Sequence, residues 1–209
     1  VIEVDSILNN NIVIISESNM ELTKEDIDEK REIMEKADIV ILQQEIPIST
    51  VEYVLEQAKK SGKITILNPA PAQKIEDNIL KLVDYLILNE TELELITGSE
   101  TIKDEEYPNI INDLQKRGSK NIILTLGEKG GIYTEENEIN AYKALKVKAV
   151  DTTAAGDSFI GAFALKLAEG RKIEEAVNFA VAVSALTVTK IGAQQSLPTK
   201  VEINEFLEK

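Results

Sequence analysis

The stretch Asp151-Thr152-Thr153-Ala154-Ala155-Gly156-Asp157-Ser158-Phe159 concentrates the chain's capacity for chemistry. It follows an apolar run and leads into a helical pattern. The small residues Ala154, Ala155 and Gly156 let a ligand approach the backbone closely. Their N–H groups, at a helix N-terminus, form an anion site that the helix dipole reinforces. Asp157 falls in the first turn of that helix. A carboxylate beside an anion site adds nothing to anion affinity, because like charges repel. It is useful if it orients and deprotonates a hydroxyl that attacks a phosphate. The other reading of Asp157 is an acidic residue that only stabilises its helix end. On the local pattern the two readings are balanced.

Other positions carry weaker signals. Asn89 and Glu92, in Asn89-Glu90-Thr91-Glu92, lie one helical turn apart and share a face. Asn89 also suits a helix cap, which uses one side-chain oxygen and leaves the amide group over. Thr125-Leu126-Gly127-Glu128-Lys129-Gly130 has glycine on both sides of a turn after a strand. That shape brings backbone near a nucleotide, although ordinary β-turns share it. Asn68-Pro69-Ala70-Pro71 is a loop that two prolines stiffen. Glu45 follows a strand in Gln43-Gln44-Glu45, where a solvated loop residue is the plain alternative.

Composition narrows the chemistry. The 209 residues contain no cysteine and no histidine. Disulfides, thiol nucleophiles, imidazole bases and the usual zinc sites are excluded together. Acid–base work must use carboxylates, Lys, Tyr or water. A net charge of −14 disfavours nucleic acid and anionic membrane as partners. Hydrophobic residues make up 43%, enough for a sizeable core. No apolar run approaches the roughly 18 residues of a membrane span, and Val1 to Asn10 lack the pattern of a signal peptide. A cytoplasmic location is expected. Val1-Ile2-Glu3-Val4-Asp5 alternate like a strand already under way, which suggests sequence before Val1.

The elements that must hold these residues alternate between short apolar runs and helical patterns. Strands are expected at 1–5 and 12–16, joined through Asn9-Asn10-Asn11. A helix starts at Thr23 with Asp26 as a capping-box partner and buries Ile27, Ile33, Met34 and Ala37. Further strands are expected at 39–42 (a buried one), 63–67, 85–88 and 121–126, then around 132–133, 139–141 and 145–150. Helices are expected at 49–60, 89–96, 107–116, 156–169, 173–190 and 199–207. This order argues for an α/β fold with a mainly parallel sheet covered on both faces.

The stretch 151–159 resembles the signature of the ribokinase and phosphofructokinase B type of carbohydrate kinases, almost position for position. Asn68 to Ala72 resembles a loop of the ribokinase branch. Asn89 to Glu92 resembles the family's N-x-x-E motif, Thr125 to Gly130 its nucleotide loop, and Gly192-Ala193-Gln194-Gln195-Ser196 its late cation-site segment. These motifs occur in the family's order and cover nearly the whole chain. The resemblance implies a ribokinase-like three-layer α/β sandwich, with residues 1–16 part of a small β lid and residues 17–209 the nucleotide-binding and catalytic domain. It implies ATP-dependent phosphorylation of a sugar's primary hydroxyl, ribose to ribose 5-phosphate being favoured by Asn68 to Ala72 and Gly192 to Ser196.

The implied roles follow residue by residue. Asp157 is the base, and Ala154, Ala155 and Gly156 donate N–H groups to the transferring phosphoryl group. Asn89 lies near the ATP phosphates, and Glu92 on the water shell of Mg²⁺, an ion that takes few protein ligands. Thr125 to Gly130 contact the nucleotide. Val181, on an apolar helix face, lines the adenine pocket or is simply core. Glu45 contacts the sugar. A K⁺ site is implied at Asp151 and Ser196 through side chains, and at Thr153, Thr187, Lys190 and Gly192 through carbonyls. Oxygen ligands suit that hard cation. A homodimer formed through the lid is implied for the whole protein.

The family's early sugar-holding Asp and adjacent glycines have no counterpart in this chain. Phosphofructose and nucleoside kinases are close alternatives to a ribose kinase. A non-catalytic nucleotide-binding module is the alternative from another class, opposed by the intact Asp157 and Ala154 to Gly156. A dinucleotide oxidoreductase is weaker, because no G-x-G-x-x-G follows an early strand.

Overall fold

A computed structural model describes residues 2–4, 10–12, 17–99 and 101–208. The chain divides into two compact units. One comprises Ser16–Leu126 and Gly131–Ala141, the other Val1–Ile15, Gly127–Gly130 and Tyr142–Lys209.

The first unit is built on a sheet of order β3-β4-β5-β6-β7-β8. Strands β3 (Ile39–Leu42), β4 (Ile64–Leu67), β5 (Tyr85–Asn89) and β6 (Asn121–Thr125) run parallel. β7 (Gly131–Glu135) turns back antiparallel to β6, followed by β8 (Glu138–Tyr142). The central strands are apolar on both faces, as buried parallel strands must be. Leu67, Leu86, Leu88, Ile122 and Leu124 join one core with Val51 and Leu55. The last two belong to α4 (Ile48–Lys60), whose apolar residues recur at helical spacing. The other helices of this unit are α1 (Glu17–Met20), α2 (Lys24–Glu29), α3 (Arg31–Lys36), α5 (Asp77–Leu80), α6 (Glu90–Thr97) and α7 (Tyr107–Arg117).

Local signals worked where side chains cap helices. Thr23 and Asp26 form the expected reciprocal capping box. The single helix expected after Thr23 is instead two, divided at Lys30, whose N–H bonds to Ile27 O. Of the face expected to be buried, Ile27, Met34 and Ala37 are half-buried, whereas Ile33 is 68% exposed. β3 was expected to be buried, yet Ile41 on it is 38% exposed. It is the outer strand of the sheet order, with β4 beside it. Helices α1 and α5 were not anticipated; each is a single turn, too short for a periodic pattern.

In the other unit, β1 (Ile2–Val4) pairs antiparallel with β2 (Asn10–Ile12). Asn10 and Asn11 therefore belong to a strand rather than to the expected turn. Asn9, and residues 13–16 of the second expected strand, lie outside the described residues. The proposed lid, 1–16, is thus only partly described. Helices α8 (Ala155–Ala168), α9 (Ile173–Thr187) and α10 (Lys200–Leu207) make up the rest, with Phe163 fully buried and small residues Ala176, Ala180 and Ala182 allowing close packing. The strand expected at 145–150 does not form. Its end is held by a helix terminus instead, since Val150 N and Asp151 N both donate to Val188 O. That use of Val188 fits the end of α9 at Thr187, short of the expected Lys190. Among the described residues no helix is long and apolar enough to cross a membrane.

Candidate functional site

In the first unit, four singled-out residues fall at the carboxyl ends of parallel strands, where open α/β sheets place ligands. Glu45 follows β3, Asn68 follows β4, Asn89 ends β5 and Thr125 ends β6. The strand register sets Asn89 opposite Thr125. The Glu45 loop and the Asn68 loop are laced together by Asn68 N to Leu42 O at 2.9 Å and Gln44 N to Ala70 O at 2.8 Å. Glu45 itself is exposed, and among the described residues its carboxylate has no partner.

Asn89 and Glu92 form a capping box at the start of α6. Glu92 N donates to Asn89 Oδ1 at 2.8 Å, and Asn89 N donates to Glu92 Oε2 at 2.9 Å. The cap uses only the Asn89 oxygen. A contact that sequence reasoning missed joins this motif to the proline-rich loop. Asn68 Nδ2 donates to Glu92 Oε2 at 3.1 Å and to Ile87 O at 3.0 Å. Asn68 and Glu92 are both 9% exposed. Asn68 thus holds the carboxylate in one orientation. Thr125 Oγ1 reaches Leu88 O at 3.4 Å, and Leu126 is half-buried against the core.

In the other unit, Gly127–Lys129 form a 3₁₀ turn in which Glu128 and Lys129 are exposed. Gly130 is needed for two reasons. Its φ is 93°, and a Cβ there would lie 2.1 Å from Tyr142 O.

α8 starts without a side-chain cap. Its N-cap, Ala154, has φ 62°, ψ 12°, in the left-handed region that costs an alanine roughly 1–2 kcal/mol. Such strain in a folded protein commonly marks functional sites. Ala155 N is engaged with Thr152 O at 3.2 Å, whereas Gly156 N and Asp157 N have no backbone acceptor among the described residues. Asp157 N is a donor that the sequence reading had not included. The Asp157 side chain is exposed, and among the described residues it makes no hydrogen bond or ion pair. Bare N–H groups and a carboxylate not used for capping therefore share one helix turn. Val181 is buried on α9.

The stretch before α8 is tied to the late segment. Asp151 Oδ2 accepts from Gly192 N at 2.9 Å, and Oδ1 accepts from Thr153 N at 2.9 Å. The Gly192 N–H foremost, then Thr153, holds the Asp151 carboxyl below its ordinary value. Ser196 is fully buried and donates to Ala193 O at 2.6 Å; Lys190 N donates to Thr187 O at 3.2 Å. Asp151, Thr153 and Gly192 are thus brought together, and Thr187 is linked to Lys190.

Comparison with known proteins settles the family. The model of the pfkB family carbohydrate kinases matches residues 1–200. The chain belongs to that family. Among curated pfkB relatives, a ribokinase of Haemophilus influenzae is 38% identical over 199 residues, 95% of this chain and 65% of the relative. A deoxyribokinase of Salmonella typhi is 38% identical over 200 residues, with 95% and 65% covered. The chain thus spans 65% of the length of these relatives. The structure of Arabidopsis thaliana ribokinase complexed with ribose and ATP superposes with a TM-score of 0.88 at 32% identity, covering 100% of this chain and 68% of that one. The ribokinase-like α/β fold with a mostly parallel sheet is therefore shown for this pfkB chain.

Proposed function

We propose that this chain carries the ATP-binding and phosphoryl-transfer residues of a kinase acting on the primary hydroxyl of ribose. The observation that carries this reading is the start of α8: strained Ala154 and, among the described residues, N–H groups at Gly156 and Asp157 without an acceptor and an exposed carboxylate without a partner. A pfkB chain whose Asp157 served only its helix dipole would need no left-handed alanine there.

In the proposed reaction Asp157 takes the proton of the sugar's primary hydroxyl as that oxygen bonds to the γ-phosphorus of ATP. The bond from phosphorus to the β,γ-bridging oxygen breaks, and ADP leaves. The N–H groups of the turn stabilise charge on the transferring phosphoryl oxygens, and the protein otherwise positions the reactants. Asn89 lies near the nucleotide phosphates, Thr125 to Gly130 border the nucleotide, and Glu45 contacts the sugar.

Among the described residues no three of His, Cys, Asp and Glu are grouped to hold a metal ion. Glu92, a single carboxylate fixed by Asn68 and Asn89, suits Mg²⁺ held through water. When bound, Mg²⁺ supplies charge neutralisation at the phosphates. The oxygen donors of Asp151, Thr153, Thr187, Lys190, Gly192 and Ser196 suit K⁺, whose place would be to brace the turn before α8. A homodimer is proposed for the whole protein on the resemblance alone.

The curated relatives include ribokinase and deoxyribokinase at equal identity, so 2-deoxyribose is the second substrate to weigh. An ADP-release assay with ribose, with 2-deoxyribose and without sugar tests the proposal. Turnover stimulated most by ribose is expected. ATP binding without sugar-dependent ADP release by the whole protein would favour a non-catalytic module.

A further inference from the structure

Ala155 O accepts two side-chain hydroxyls, one from each of two helices. Ser158 Oγ, in α8, donates at 2.9 Å. Ser184 Oγ, in α9, donates at 3.0 Å. Ser184 is a polar residue within the apolar run Val181-Ala182-Val183-Ser184-Ala185-Leu186. A serine inside a helix commonly bonds back to its own preceding turn; this one reaches a residue 29 positions away.

The carbonyl it reaches belongs to a peptide unit with a special partner. The C=O of Ala155 and the N–H of Gly156 lie in one rigid plane and point in opposite directions. Among the described residues Gly156 N–H has no acceptor, and it sits at the mouth of α8. Fixing the oxygen from behind therefore fixes the direction of the N–H in front. Hydroxyl bonds to the oxygen also polarise the amide, which strengthens it as a donor. The neighbouring Ala154, at φ 62°, gives this turn a reason to need bracing, because a strained conformation persists only where its surroundings enforce it.

We infer that Ser184, assisted by Ser158, is a positioning residue that aims and polarises the Gly156 N–H toward the anion that α8 receives. This rests on the kinase reading for the identity of that anion, but not for the coupling between hydroxyl and amide. Ser184 touches no reactant; it acts through the Ala155–Gly156 peptide.

The test is Ser184→Ala, with Ser158→Ala beside it and Ser184→Thr as the conservative rescue. The first readout needs no substrate: the Gly156 amide resonance in ¹⁵N-labelled protein. Each alanine variant is expected to move it in the same direction, and Ser184→Thr to return it. The second is kinetic. For Ser184→Ala, kcat should fall roughly fivefold, the equivalent of one hydrogen bond of about 1 kcal/mol, with KM for ATP and sugar changed less than about twofold. A lower melting temperature with an unmoved Gly156 resonance and an unchanged kcat would show an ordinary packing bond and overturn the inference. A moved resonance with kcat unchanged would equally overturn the positioning role. A Gly156 response in a protein that never releases ADP would leave the coupling standing while the kinase reading fell.

Discussion

Replacing Asn68 by Asp changes one atom group and reverses the character of the contact on which Glu92 rests. Asn68 Nδ2 donates to Glu92 Oε2 at 3.1 Å and to Ile87 O at 3.0 Å, with both side chains 9% exposed. The variant puts an acceptor where both neighbours need a donor. A lost bond to a charged group costs about 1.5–3 kcal/mol and one to a carbonyl about 0.5–1.5 kcal/mol. Asn68→Asp should therefore destabilise the fold by about 2–4 kcal/mol near neutral pH. The penalty should also depend on pH. Two close carboxylates push one pKa above the ordinary value. A carboxyl with a raised folded pKa is favourable at low pH, and that advantage is lost as pH rises through it. Urea unfolding of parent and variant at about pH 5 and about pH 8 measures the difference, which should be larger at the higher pH. A penalty under about 0.5 kcal/mol, or one equal at both pH values, would refute the role given to Asn68.

Gly130→Ala should destabilise by more than about 3 kcal/mol, since a Cβ would overlap Tyr142 O in addition to the positive φ; thermal unfolding reads it. Acid stability should fall as pH drops from 4.5 toward about 2, because Glu202 is held low chiefly by Lys190, then by Thr199, and a depressed carboxyl gives its stabilisation only while ionised. Glu202→Gln should flatten that part of an acid unfolding curve. Under the proposed cation site, K⁺ should stimulate sugar-dependent ADP release more than Na⁺ at equal ionic strength, and Asp151→Asn should remove the difference.

What could be read in advance follows from how far each signal reaches along the chain. Thr23 and Asn89 were legible as caps because a capping box is local: partner and cap are three residues apart. The strands β4, β5 and β6 were legible because burial on both faces leaves a continuous apolar run. Residues 145–150 alternate apolar residues with Lys146 and Lys148, as a half-buried strand would, but their end meets the end of α9 through Val150, and no local pattern reveals that fate. Ile33 looked like core at helical spacing, but the helix breaks at Lys30 and leaves it in solvent. In the site, motif positions were visible while their couplings were not. Asn68 to Glu92 spans 24 residues, Asp151 to Gly192 spans 41 and Ser184 to Ala155 spans 29. Each depends on a fold that brings separate elements together, which residue type and spacing do not encode.

The central claim is that Asp157 is a base and not a helix-dipole residue. Asp157→Asn keeps the shape of the side chain and removes its basicity. Sugar-dependent ADP release by the protein should fall by about 10²–10⁴-fold, the usual contribution of a positioned base, while ATP binding measured by calorimetry stays the same. Turnover within about tenfold of the parent would contradict it, because a group that only stabilises a helix end can be neutralised at little catalytic cost.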